Sequence, residues 1–278
     1  MQLAQKFAGN ILLVGLIAGL IACGGDGDGD TRFTPTVPAD AARITSANAV
    51  DIVGAVFESI DGLGLATGFK NAETPPSLQE ILKLVTARVQ PRGQRSVSVA
   101  HRTETQNCDI SSPQGSITVN VNETSSTASG SAVFTNCVIS GLTIDGRFTF
   151  NSTFDNVSGE YGDDFNGSLS FDFGTESFGM VFDFGESGNF LSGSYSRNVN
   201  FSVSGLPGGG FLVTTTLALT GIGLDISSGQ VIVQGADNTR LRISITNNTA
   251  DVDLDEGSGF VGFATCTDLT TNLACTLI

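Results

Sequence analysis

Residues 168–184, SLSFDFGTESFGMVFDF, indicate the fold class of the chain. In both halves of this stretch, apolar side chains alternate with mostly polar or small ones, and the apolar set is Leu169, Phe171, Phe173, Phe178, Met180, Phe182 and Phe184. A β-strand places successive side chains on opposite faces of its sheet. The pattern therefore predicts strands with one buried face and one wet face, as in antiparallel sheets.

The same period of two continues over residues 95–278, for example through residues 211–219 and 241–245. Turn-forming residues recur every 8–12 positions, for example Asn166-Gly167, the run 185–188 and the run 208–210. Spacing of this kind predicts about twelve antiparallel strands. A large curved sheet, a sandwich and a barrel are all compatible with it.

Residues 41–90 have a helical period instead. Thr45 or Ser46 can cap a first helix, whose apolar residues from Ala47 to Ile60 recur at steps of three and four and which ends near Gly62. Ser77 and Glu80 form a capping-box pattern before a second helix that runs to about Val89. We expect a mainly β (α+β) fold in which two N-terminal amphipathic helices pack on the sheet, which favours the large curved sheet.

The charge balance of the chain restricts its partners. Asp and Glu outnumber Lys and Arg by 28 to 13, for a formal net charge of −15. A chain this acidic is repelled by phosphate backbones, so we expect no nucleic-acid partner.

Five cysteines indicate the redox environment. Cys108, Cys137, Cys266 and Cys275 follow the N-terminal Cys23, and an even number of cysteines in an exported chain predicts disulfides. Three pairings are possible, and we favour Cys108–Cys137 with Cys266–Cys275 because sequence neighbours need the least rearrangement of the chain. A metal site is the alternative, but no C-x-x-C pair is present, and we expect no cofactor.

The N-terminus has the layout of an export signal. Lys6 precedes twelve uncharged residues, Ile11 to Ala22, which would rise about 18 Å as a helix and are too short to span a membrane core of about 30 Å. Leu20-Ile21-Ala22-Cys23 resembles the lipobox of bacterial lipoproteins. The resemblance implies that Cys23 is lipidated, that the signal peptide 1–22 is removed, and that the new amine is acylated with a fatty acid such as palmitate.

Gly24 and Gly25 follow Cys23. In bacterial lipoproteins an Asp directly after the cysteine would imply retention in the inner membrane, and this chain has Gly at that position. The resemblance therefore implies the outer membrane of a Gram-negative bacterium. The protein could face either the periplasm or the cell surface. Residues 23–40 are expected to be the lipidated cysteine and a flexible tether, because Gly, Asp and Pro resist compaction. Residues 41–278 would form a single β-rich domain.

Two further stretches resemble a loose group of uncharacterised bacterial lipoproteins. They are the helix start ITSANAVDIVGAVF at Ile44 and the strand SGSAVFTNCVISGLTIDG around Cys137. The resemblance supports a β-rich envelope protein and implies no activity.

Few residues suggest catalysis. His101 is the only histidine, no G-x-S-x-G motif is present, and a surface position for His101 is expected. Carboxylates are the plentiful reactive groups, and Glu160, Asp163 and Asp164 are expected in a loop near Tyr161. Glycosidase chemistry would need two such acids across a cleft.

A second acidic group is Asp251, Asp253 and Asp255, with Glu256 beside it. These residues are weak candidates for calcium binding through hard oxygen ligands, and alternation along a strand would equally place all three in water.

We expect a non-enzymatic outer-membrane lipoprotein that is an envelope or surface interaction module. The alternative is a periplasmic carrier for an apolar, lipid-like ligand.

Overall fold

Thirteen antiparallel strands form one open sheet, and their order in the sheet is their order in the sequence. The computed structural model describes residues 32–62, 100–108, 115–139, 142–155, 157–174, 176–223, 225–269 and 273–278. The strands are β1 Ala100–Asn107, β2 Ser116–Glu123, β3 Thr127–Ile139, β4 Leu142–Phe154, β5 Glu160–Asp172, β6 Ser177–Asn189, β7 Ser194–Ser204, β8 Phe211–Ile222, β9 Asp225–Gln234, β10 Arg240–Thr246, β11 Thr249–Asp255, β12 Val261–Thr267 and β13 Ala274–Leu277.

The mainly β fold is confirmed, with thirteen strands among the described residues where about twelve were expected. Each strand pairs with the next along the chain, so the structure has one hydrogen-bonded sheet and not the two separate sheets of a sandwich. The turns predicted at Asn166-Gly167 and at 185–188 are wrong, because these residues lie inside the long strands β5 and β6. A Cβ on Gly167 would lie 2.6 Å from the carbonyl oxygen of Arg147. This glycine therefore serves close strand packing, not a turn.

The first predicted helix is confirmed as α1, Ala49–Gly62. It begins after a turn in which the side chain of Asn48 accepts a hydrogen bond from the Thr45 N–H at 2.8 Å. Its buried face is Ala49, Ile52, Val53, Val56 and Phe57, whereas Ala47 and Val50 of the expected face are exposed.

The second predicted helix, residues 77–89, lies outside the described residues, as do Cys23 and the rest of residues 1–31. Among the described helices, none has both the length and the apolar character needed to cross a membrane.

The two faces of the sheet differ in chemistry. We call them the core face, which carries the buried residues of the strands, and the polar face. Side chains of β2 to β12 and of α1 belong to one hydrophobic cluster. A flat sheet of thirteen strands would be about 58 Å wide, while a helix of 14 residues is about 21 Å long. We infer that the sheet curls around its core face, as wide sheets do.

Phenylalanines fill the middle of this core. The ring centroid of Phe148 lies 6.1 Å from that of Phe134, 6.3 Å from Phe182 and 6.4 Å from Phe165. Phe182 is 0% exposed and also stacks on Phe184 at 5.3 Å. Contacts of this kind add to the free energy gained from burying each ring.

The compact unit begins at Arg32, not at residue 41. Residues 32–44, which we call the strap, are bound to the sheet, and so residues 32–40 of the predicted flexible tether belong to the folded domain. Their partners lie more than 130 positions away in sequence, for example Asp183 and Asn166. The composition of the segment therefore suggested a linker although specific contacts order it.

The connections between strands lie at two ends of the sheet. We call the turns after β4, β6 and β8 the tip turns. The turns after β7, β9 and β11 lie at the opposite end, which we call the strap end because the strap passes over it.

Replacing Phe182 with Ala should destabilise the fold by about 3–5 kcal/mol, because it removes a ring from a filled core. Urea unfolding with the disulfides intact measures the change. The control is Leu217→Ala, which truncates a side chain that is 61% exposed and should cost no more than about 0.5 kcal/mol. Equal losses for the two variants would contradict the assignment of the core face.

Candidate functional site

The strap is fastened to the polar face of β5 and β6 at its N-terminal end. The side-chain amide of Asn166 accepts a hydrogen bond from the N–H of Phe33 at 2.6 Å and donates one to its carbonyl at 2.7 Å. Arg32 donates to Asp183 at 2.6 Å and lies 3.6 Å from Asp164. A hydrogen bond to each backbone group of Phe33 orders this part of the strap as a neighbouring strand would.

Toward its C-terminal end the strap reaches the strap end of the sheet. The Asp40 carboxylate accepts a hydrogen bond from the Gly205 N–H at 2.5 Å, and Ala42 N–H donates to the Gly210 carbonyl at 2.8 Å. The N–H of Ile44 donates to the Thr239 hydroxyl at 2.9 Å, and Ile44 itself is fully buried. The chain thus passes from the polar face over the strap end and into α1 on the core face.

A groove of about 420 Å³ crosses the polar face of β4 to β7 beside Arg32. The residues that line it are polar or glycine, and by strand alternation two of them, Asp163 and Glu186, direct their side chains to the core face. The full set is Arg32, Asn151, Thr153, Gly162, Asp163, Asp164, Asp183, Gly185, Glu186, Ser187, Ser196, Asn198 and Asn200. Amides, hydroxyls and carboxylates of this kind offer hydrogen bonds to a polar ligand or to an extended peptide. Arg32 supplies the positive charge of the groove, and it is already paired with Asp183.

A second polar group lies toward the tip turns. By strand alternation Tyr161 and Asp163 of β5 share the core face with Phe165, and Glu186 of β6 shares it with Phe184. Glu186 accepts hydrogen bonds from the Tyr161 hydroxyl and from Arg197 Nε, both at 2.6 Å. The Phe-filled core therefore ends in a charged layer on this side.

Glu160, Asp163 and Asp164 do not form the loop predicted from the sequence, because β5 already begins at Glu160. They divide instead between the two faces of the strand, with Asp164 beside Arg32 on the polar face. The period of two would have revealed this division if the acidic run had been assigned to a strand. Only the tertiary fold brings Tyr161, Glu186 and Arg197 together.

Burial shifts two pKa values in the charged layer. Burial raises the pKa of the Asp163 carboxyl; the hydrogen bond with Ser152 lowers it in part, and the nearby charge of Glu186 raises it again. Burial is the main cause that raises the pKa of the Tyr161 hydroxyl, and the hydrogen bond to Glu186 is the second. The hydroxyl therefore remains a hydrogen-bond donor. Glu186 thus joins Tyr161 and Arg197 in one hydrogen-bonded group.

Asp251, Asp253 and Asp255 lie along β11 and point to separate partners. Asp251 accepts a hydrogen bond from the Thr265 hydroxyl at 3.1 Å. Asp253 pairs with Arg242 at 2.8 Å, and Asp255 pairs with Arg240 at 2.5 Å. No three His, Cys, Asp or Glu side chains converge as a metal site within the described part of the chain, and the calcium hypothesis for these aspartates stays a prediction.

The expectation that Asp255 lies in water is wrong, since this residue is 2% exposed. Its carboxylate accepts hydrogen bonds from Arg240 and from the backbone N–H groups of Gly257 and Gly259. The Phe260 ring, 4.9 Å from the Arg240 guanidinium carbon, covers this pair. The Arg240 hydrogen bond, followed by the two backbone N–H groups, lowers the pKa of Asp255 to about 2.

Both predicted disulfides are confirmed. Cys108–Cys137 and Cys266–Cys275 are bonded, with Cα atoms 5.4 Å and 4.0 Å apart. The second joins directly paired residues of β12 and β13 and so fastens the edge strand to the sheet.

His101 is an exposed residue of β1 whose Nδ1 lies 2.9 Å from the side-chain oxygen of Asn122 on β2. His101 thus forms a cross-strand hydrogen bond, and its exposure confirms the surface position expected from the sequence.

The Asp255→Asn variant should be less stable than the wild type at pH 7, because it loses the charge that Arg240 and two N–H groups hold. A lowered pKa stabilises the fold above the unfolded-state value near 4. That contribution disappears as the pH falls from about 4 to about 2. The difference in melting temperature between the two proteins should therefore shrink over this range. A difference in melting temperature that stays constant over this pH range, or an equal effect of the control Asp251→Asn, would contradict the low pKa assigned to Asp255.

Asn166→Ala should release the N-terminal end of the strap. It removes both hydrogen bonds to Phe33, a loss of about 1–3 kcal/mol. Chymotrypsin cleavage after Phe33, followed by mass spectrometry, should be about tenfold faster than in the wild type. The control Asn198→Ala alters an exposed amide on the same face and should leave the rate unchanged. Equal protection of Phe33 in the Asn166 variant would show that the strap is held by other contacts.

Comparison of the chain with models of protein families, with curated proteins and with solved structures finds no match. Its function is therefore inferred from its own residues and contacts.

Proposed function

We propose that the chain is a non-enzymatic lipoprotein of the outer membrane of a Gram-negative bacterium, anchored through Cys23. In this role it is an envelope or surface interaction module. The lipobox-like residues 20–23 support the anchor. The two disulfides support an oxidising compartment.

The observation that carries the proposal is the ordered strap. The folded unit begins at Arg32, nine positions after Cys23. Nine Cα steps span at most about 32 Å in any conformation. A domain on so short a connection stays next to the membrane that holds Cys23, as suits a module acting at the membrane surface.

The groove on the polar face supports an interaction role. It is open and lined by Arg32 and by residues of four neighbouring strands, β4 to β7, so the sheet holds those residues in a fixed arrangement. The groups are hydrogen-bonding, and the partner that they fit is a polar surface or chain.

A carrier for an apolar ligand remains the alternative hypothesis, and the packing of the described core gives it less support. A ligand cavity needs apolar side chains that face open space. From β3 to β7 the phenylalanine rings contact one another instead, from Phe134 through Phe148, Phe182 and Phe184 to Phe201.

The partners of the carboxylates support a non-enzymatic role. Asp183, Glu186, Asp253 and Asp255 each lie in an ion pair with an arginine. A carboxylate held in this way is stabilised in its charged form and is a poor general acid.

Cys23→Ser should abolish fatty-acid labelling and release the protein into the soluble periplasm, since no thiol remains to accept the diacylglycerol. Metabolic labelling with a fatty acid and fractionation of the cells measure both effects. The double variant Cys108→Ser/Cys137→Ser is the control, and it should keep its label because Cys23 is intact. Continued labelling of the Cys23 variant would refute the anchor.

A further inference from the structure

The edge strand β13 buries little of its own surface. Ala274, Thr276 and Leu277 are exposed, Leu277 at 63%, and Cys275 alone among the four residues is partly buried. The strand pairs with β12 through these four residues. Ordering a strand costs conformational entropy, which backbone hydrogen bonds at an exposed edge offset only in part. β13 therefore depends on its covalent bond to the sheet.

That bond is the disulfide Cys266–Cys275, which lies within the pair of strands β12 and β13. Cys266 is fully buried in the hydrophobic cluster, whereas Cys275 is partly exposed. Just before β13, the Leu273 side chain packs beside Gly54 of α1, 3.8 Å from the position of an added Cβ. Leu273 thus marks the fixed point from which β13 leaves the body of the domain.

The other disulfide has a different place in the sheet. Cys108 follows β1 and Cys137 lies in β3, so this bond spans the intervening strand β2. β1 pairs with β2 through eight residues, whereas β13 pairs with β12 through four. Opening Cys108–Cys137 therefore leaves β1 held by a full strand of ladder bonds, and opening Cys266–Cys275 leaves β13 with half as many paired residues.

We propose that Cys266–Cys275 is a redox latch that keeps β13 on the edge of β12. Reduction opens the latch, β13 leaves the edge, and the backbone groups of β12 that paired with it become free. Free strand edges are templates for pairing with another chain, so the latch controls whether the domain exposes such an edge. This device goes beyond the proposed interaction module and does not depend on the anchor at Cys23.

The reductant of the latch is a dithiol, which opens a disulfide in two exchange steps. One thiolate of the dithiol attacks Sγ of the partly exposed Cys275, forms a mixed disulfide with it and expels the Cys266 thiolate. The second thiolate of the dithiol then displaces Cys275 from the mixed disulfide. The dithiol gives up two electrons and two protons and becomes a disulfide, and both cysteines become thiols.

Backbone directions in β12 provide the readout. The N–H of Ile278 donates to the Phe263 carbonyl at 3.0 Å. By the alternation of an antiparallel ladder, Thr265 and Thr276 then exchange both of their backbone hydrogen bonds, whereas Ala264 directs its backbone groups to β11. We call the N–H groups of Thr265 and Thr276 the marker amides. Release of β13 should expose the marker amides and leave the Ala264 amide protected.

The test uses residues 24–278, which contain the whole folded unit and no cysteine outside the two disulfides. In the variant Cys266→Ala/Cys275→Ala, deuterium exchange of the marker amides, followed by NMR, should be at least about tenfold faster than in the oxidised wild type. The control Cys108→Ala/Cys137→Ala should leave the marker amides protected. Unchanged protection of the marker amides in the first variant would overturn the proposal.

A second measurement opens the latch in the wild-type chain, so it tests the proposal even where the double alanine variant fails to fold. Dithiothreitol is the dithiol, and a maleimide traps the released thiols for mass spectrometry. Cys266 and Cys275 should be labelled about tenfold faster than Cys108 and Cys137, while the Ala264 amide stays protected. Labelling of Cys266 and Cys275 only together with loss of protection at Ala264 would also overturn the proposal, because the bond would then open only when the domain unfolds.

Discussion

The structure depends on burying one face of a single wide sheet. Thirteen strands in sequence order offer one continuous apolar face, and a helix of 14 residues covers only part of it. Phenylalanine rings fill the middle of this face, with Phe148, Phe182 and Phe201 at 0–1% exposure, and we infer that the sheet curls around them. Long strands, close-packed glycines such as Gly167 and the disulfide on the edge strand all serve this arrangement.

The strap links this core to the proposed anchor. It binds the polar face through Arg32 and Phe33, crosses the strap end through Asp40 and Ala42, and leads into α1 on the core face. Contacts on both faces mean that the N-terminal segment is part of the folded unit.

Local patterns in the sequence predicted the features that depend on neighbours in sequence. The period of two predicted the antiparallel strands, and the spacing of the cysteines predicted both disulfides. Features that depend on distant partners could not be predicted in this way. Residues 32–40 have the composition of a linker, but distant residues such as Asn166, Asp183 and Gly205 order them. Asp255 falls on the solvent-facing positions of the alternation, yet it is buried beside Arg240 of the neighbouring strand.

Native mass spectrometry of residues 24–278, produced in an oxidising periplasm with and without calcium, tests most directly whether the core face is filled by the chain itself. A filled core predicts a bare chain, four hydrogens lighter than the reduced form because of two disulfides, with the same mass when calcium is added. A bound mass in the lipid range would contradict it, because an apolar ligand would then occupy space that the phenylalanine rings are inferred to fill.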